Sequence, residues 1–150
     1  MVNKTSALQA AAELCKKFEG FYSKPYLCPA NVPTIGYGST VYEDGVKVTL
    51  KDPPVTKEYA TKLLMLTLSR DYFPAVLKLC PDIPTEGSLT ALTDFTYNLG
   101  VGALRSSSVR RAMNNGDMEG VKQGLLKYVY GGGKVLPGLV KRRKAETELL

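Results

Sequence analysis

Three glycine-bearing interruptions divide the second half of this chain: Gly100-Val101-Gly102, Asn114-Asn115-Gly116-Asp117 and Gly131-Gly132-Gly133. Between them the apolar residues recur at helical spacing, which predicts short helices near residues 86–99, 104–114, 117–129 and 136–149. Helices of this length are marginal in water by themselves. They must pack on one another, so this part of the chain is committed to a multi-helix core. An earlier helix is signalled by Thr56 as N-cap and Glu58 in the first turn. It continues through Leu63, Leu64, Leu66, Leu68 and Tyr72.

The first part of the chain reads differently. Leu8, Ala11, Ala12, Leu14, Cys15 and Phe18 form an apolar helical stripe that stops at Glu19-Gly20, with Gly20 as the residue after the cap. Thr34 to Gly38 and Val41-Tyr42 read as extended, Glu43-Asp44-Gly45 as a tight turn and Val46 to Leu50 as the returning strand. Pro53-Pro54 then closes the segment. The expectation is an α+β protein with a small N-terminal lobe carrying a three-stranded antiparallel sheet, a connecting helix and a larger helical C-terminal lobe. A single domain over residues 1–150 accommodates this, with lobes near 15–55 and 56–150 and the first helix packing on the C-terminal lobe. A chain of 150 residues buries roughly 70% of the surface its unfolded form exposes, enough for one real core.

Glu19 stands in an unfavourable place for a purely structural carboxylate. A helix C-terminus carries partial negative charge, so an ionised acid is disfavoured there and a proton-bearing one is better tolerated. A general acid needs that state. The alternative is a solvated surface residue, the commoner fate of a lone Glu.

Composition removes several chemistries. The chain has no histidine, which disfavours Ser–His and Cys–His nucleophiles and histidine-ligated zinc, whereas carboxylate-driven glycosidic chemistry needs none. No metal or cofactor is expected. The three cysteines are an odd set that suits a reducing compartment; Cys15 and Cys80 fall on apolar stripes and read as small core residues. The formal charge of +6 favours anionic polymers, but no nucleic-acid motif accompanies it. No run of apolar residues is long enough to span a membrane, and the start lacks the pattern of a secretory signal.

The spacing of the chemical residues is specific. Glu19 is followed after eight residues by Cys28 and after five more by Thr34, which opens Thr34-Ile35-Gly36-Tyr37-Gly38. This resembles the Glu, Asp or Cys, and Thr pattern of the phage-type lysozymes, glycoside hydrolase family 24. Phe95-Thr96-Tyr97-Asn98-Leu99-Gly100 resembles the family's second block, and the stretch from Gly132 through Pro137 to Glu146 its closing one. Two positions depart from the common pattern: Cys28 stands where many relatives carry Asp, and Tyr128 where many carry Trp.

The resemblance implies a lysozyme-like fold and an endolysin, a muramidase cutting the β-1,4 bond between N-acetylmuramic acid and N-acetylglucosamine in bacterial peptidoglycan. It implies Glu19 as acid, Cys28 as base, nucleophile or electrostatic stabiliser, and Thr34 as the residue that holds a water. Tyr37, Gly38, Tyr97 and Asn98 are the expected substrate contacts, although Tyr97 also fits a helix core. Arg142 or Arg143 is expected to pair with Glu19 or a neighbouring acid and brace the lobes, the alternative being a solvated helix end. A monomer that waits in the host cytoplasm and is released by a holin-type protein to act in the periplasm and wall completes the expectation. A lytic transglycosylase, or a non-catalytic cationic protein that disrupts wall or membrane, remains the alternative.

Overall fold

The computed structural model describes residues 2–150. Helix α1 (Lys4–Glu19) starts at Asn3, whose side chain accepts the Ser6 N–H at 3.1 Å. It stops at Gly20, where φ is 76° and the N–H closes the last turn on the Lys16 carbonyl at 3.2 Å. The end of the helix at Glu19 is thus set by local chemistry.

Strand β1 (Tyr22–Leu27) pairs antiparallel with β2 (Pro33–Gly36), with Tyr26 opposite Thr34 and Leu27 opposite Pro33. The register is irregular between Tyr22 and Tyr26, where Pro25 has no N–H to give to the ladder. The expected third strand is reduced: beyond β2 there are single bridges only, Ile35 to Ser39 and Val41 to Lys47. Gly36 (φ 68°) and Gly38 (φ 87°) are left-handed, so the chain turns at Gly36 and does not continue as a strand. The Asp44-Gly45 turn does form. Gly45 donates to the Tyr42 carbonyl at 3.0 Å, and the Asp44 carboxylate accepts the Val46 N–H at 3.0 Å.

Helix α2 (Lys57–Thr67) is capped by the Thr56 hydroxyl, which accepts the Tyr59 N–H. The helix does not run on evenly through Tyr72 as expected. Residues Leu68–Tyr72 form a wider π turn, closed by the Phe73 N–H on the Leu68 carbonyl, before α3 (Phe73–Leu79). Pro74 supplies the reason, because it has no N–H for the Arg70 carbonyl and its ring crowds that oxygen.

Helix α4 (Glu86–Leu99) is the axis of the molecule, buried continuously from Ser88 to Thr96. Its threonines tolerate burial by bonding locally: Thr93 donates to the Leu89 carbonyl at 2.7 Å and Thr96 to that of Leu92 at 2.6 Å. Around it pack α5 (Val101–Arg105), α6 (Ser108–Asn114), α7 (Met118–Leu125) and α8 (Pro137–Thr147). The single helix expected over 104–114 is two, because Ser107 caps a new start by accepting the Arg110 N–H at 3.0 Å. A short hairpin, β3 (Tyr130–Gly131) and β4 (Lys134–Val135), turns on Gly132 and Gly133, both at positive φ.

Two apolar clusters result. One gathers α3 to α7 with Ala7; the other packs Ala11, Ala12 and Cys15 of α1 against Tyr37, Ala60, Leu64 and Leu68. Helix α1 serves both, which holds its C-terminal end rigidly between them.

Candidate active site

Two cavities meet at the Glu19 carboxylate, whose side chain is 22% exposed. One, of about 350 Å3, is lined among others by Glu19, Tyr26, Cys28, Thr34, Gly38 and Asn98. The other, of about 430 Å3, is lined by Phe18, Glu19, Asn98, Leu136, Leu139 and Arg142 among others. Glu19 and Asn98 belong to both, so the acid stands at the join of a cleft with the sheet on one side and α4 and α8 on the other.

Cys28 and Thr34 come to that wall through the β1–β2 turn. Asn31 takes a left-handed φ of 61°, its N–H returning to the Cys28 carbonyl at 2.8 Å. The backbone N–H groups of Val32 and then Ala30 hold the Cys28 thiol below its ordinary range. Backbone dipoles supply this effect. Thr34 is buried, and its hydroxyl donates to the Val32 carbonyl at 2.8 Å, leaving its lone pairs free to accept.

Tyr37 is a correction. It is buried in the apolar cluster with its ring 5.5 Å from that of Phe21, and it does not line the cleft. The left-handed turn at Gly36 and Gly38 brings the Gly38 backbone to the acid while the Tyr37 ring packs inward. What Tyr37 offers the site is its carbonyl, which accepts the Tyr97 hydroxyl at 2.7 Å. Tyr97 reaches the cleft wall, edge-on to Tyr72 at 5.1 Å between ring centroids. Burial, then the nearby Glu19 carboxylate, pushes the Tyr97 phenol well above its usual range, so it stays a proton donor to that carbonyl.

Neither arginine is a solvated helix end. Arg142 donates from Nη1 to Glu19 Oε2 at 2.5 Å, and from Nε and Nη2 to the two oxygens of Asp94 at 2.9 and 2.7 Å. Arg143 is wholly buried, donates to Asn98 Oδ1 at 2.5 Å, lies over the Phe95 ring and has Glu146 at 3.1 Å. Burial would raise the Asp94 carboxyl, but the Arg142 hydrogen bonds bring it below its ordinary value. Burial, then the hydrogen bond and charge of Asp94, pushes Glu146 up to about 10. Glu146 is therefore neutral at pH 7.

Asp94, Glu146, Tyr26 and Tyr72 are among the members of the site that the sequence did not single out. Asp94 carried a weak signal, an acid whose helical neighbours Ala91, Phe95 and Tyr97 are largely apolar. Glu146 carried one too, standing one turn beyond Arg142.

The chain has recognisable relatives. Residues 16–146 match the family described as Phage lysozyme. The chain is 37% identical over 149 residues to the endolysin of Bacillus phage B103, covering 94% of this chain and 52% of that protein. It is 33% identical over 135 residues to the SAR-endolysin of Bacteriophage PS119, covering 87% of this chain and 75% of that one. The fold superposes on the endolysin from Escherichia coli O157:H7 phage FAHEc1 with a TM-score of 0.82 at 28% identity, covering 94% of this chain and 90% of that one. The chain thus spans about half the length of the first relative and three quarters of the second.

An acid held over a cleft between a small sheet and a helical bundle is the arrangement of a lysozyme-like fold. The chain belongs to the phage lysozyme family.

Proposed function

We propose that this chain hydrolyses the β-1,4 bond between N-acetylmuramic acid and N-acetylglucosamine, with Glu19 protonating the departing oxygen. The observation that carries the reading is the position of the Glu19 carboxylate at the join of two cavities, with Cys28 and Thr34 lining one of them. Cleavage at that join leaves one sugar in each cavity. Cys28, its thiolate favoured by the turn N–H groups, faces the anomeric carbon and takes the proton that the attacking water loses, while Thr34 accepts a hydrogen bond from that water. Asn98, held by Arg143, and Gly38 and Tyr97 form the substrate wall.

The test is mass spectrometry of fragments released from purified peptidoglycan, with Glu19→Gln alongside. Reducing muramic-acid ends that vanish in the variant are expected. Anhydro-muramyl ends would replace hydrolysis by transglycosylation, and wall lysis that survives Glu19→Gln would remove the enzymatic reading.

The proposal extends to delivery. A single copy waits in the host cytoplasm and reaches the wall through a lesion made by a separate holin-type protein. Lysis timing with and without such a protein, and gel filtration of the pure chain, test the two parts.

A further inference from the structure

Arg142 does not serve Glu19 alone. Two of its three donor nitrogens are taken by Asp94, which is wholly buried, and only Nη1 faces the Glu19 carboxylate. We propose that Asp94 is a positioning residue that sets how much of the Arg142 charge Glu19 experiences, and thereby the pH up to which Glu19 retains the proton it donates. This rests on the proposed role of Glu19 as general acid.

The physical argument is charge cancellation at short range. A guanidinium in bidentate contact with a carboxylate, both out of water, presents to a third group a dipole rather than a full positive charge. Without the Asp94 charge, the full Arg142 charge would favour ionised Glu19 and oppose the protonated state that catalysis uses.

The other groups facing this cluster are consistent with that division. From α1, the Cys15 thiol donates to Asp94 Oδ1 at 3.3 Å, one turn before Glu19, so the same carboxylate also anchors the helix end that carries the acid. From α8, Arg143 and Glu146 are both wholly buried. Three carboxyl groups (Glu19, Asp94, Glu146) therefore share a site with two guanidiniums. A proton retained on Glu146 leaves Asp94 as the buried carboxylate whose charge faces Arg142. Tyr72 from the π turn, Tyr97 from α4, and Tyr26 and Cys28 from the sheet side complete the titratable surroundings; all three phenols are pushed up, first by burial, and stay neutral.

The test is the pH profile of kcat on purified peptidoglycan for Asp94→Asn, which keeps the shape and removes the charge. The alkaline limb is expected to move to lower pH by about one unit, a shift that a merely structural role would not produce. Reduced turnover with an unmoved limb would overturn the proposal. Should the variant not fold, 13C NMR of the wild-type carboxylates decides: Asp94 must be ionised across the working range, and a protonated Asp94 there also overturns it. The two levels separate cleanly. Hydrolysis by Glu19→Gln defeats the proposed function, whereas an inactive Glu19→Gln with an unmoved Asp94→Asn profile defeats this inference alone.

Discussion

The Cβ that Gly38 lacks would stand 2.9 Å from Oε1 of Glu19 and 3.0 Å from the Tyr97 hydroxyl. The bare backbone at this point is what gives the acid its room, and the φ of 87° there is one that side chains rarely adopt.

Gly38→Ala is therefore expected to damage turnover more than folding. Left-handed backbone costs about 1–2 kcal/mol, and a carboxylate displaced by about 1 Å lowers kcat on the order of 10²-fold. Steady-state kinetics beside a thermal melt measure both. Wild-type turnover in the variant would show that the carboxylate has another place to sit.

Arg142→Met should be among the most destabilising single changes in the protein. It leaves the buried Asp94 carboxylate without its two charged donors, a loss of about 3–5 kcal/mol. Urea unfolding at pH 7 reads this directly, and the loss should shrink on acidification, as Asp94 takes up a proton. A loss below about 1 kcal/mol, the range of exposed pairs, contradicts the burial argument.

Glu146 makes stability depend on pH in the direction opposite to Asp94. Its folded value, about 10, lies above the ordinary 4.5. The stabilisation it gives is complete below the ordinary value and is lost as pH rises toward 10, with a limiting slope of about 1.4 kcal/mol per pH unit. Asp94 is lowered, so its contribution is present at neutral pH and is lost on acidification. Glu146→Gln mimics the protonated form and should flatten the decline in Tm between pH 6 and 9. Parallel Tm curves for the two proteins would place the proton elsewhere.

Cys28 should react before the other two thiols. It is partly exposed and its thiolate is favoured, whereas Cys15 and Cys80 are buried and pushed up by that burial. Limited iodoacetamide at pH 7.5 should give one adduct, located at Cys28 by peptide mass spectrometry, with wall hydrolysis lost in proportion. Full activity in the singly alkylated protein would exclude Cys28 from the chemistry.

Much of the helical lobe was legible because its signals are local. Thr56 caps the helix it precedes, Gly20 ends α1, and residues 86–99 are helical as their periodicity requires. Where a second local effect competed, the reading slipped. Pro74 widened a turn that apolar spacing had continued, Ser107 split one helix into two, and Gly36 and Gly38 shortened the sheet. Tyr37 was misplaced because a motif names residues without saying which face of an irregular strand each one takes.

From the chain alone came the helix that ends at Glu19, the spacing that carries Cys28 and Thr34, the glycine-cut bundle and the absence of histidine, all consequences of neighbours in sequence. Only the tertiary structure decided which charges meet. Asp94 lies 48 residues from Arg142, and Glu19 lies 123 from it, yet one guanidinium holds both. Such pairings arise when packing excludes water from groups that must then find partners, and that condition exists only after the helices have come together.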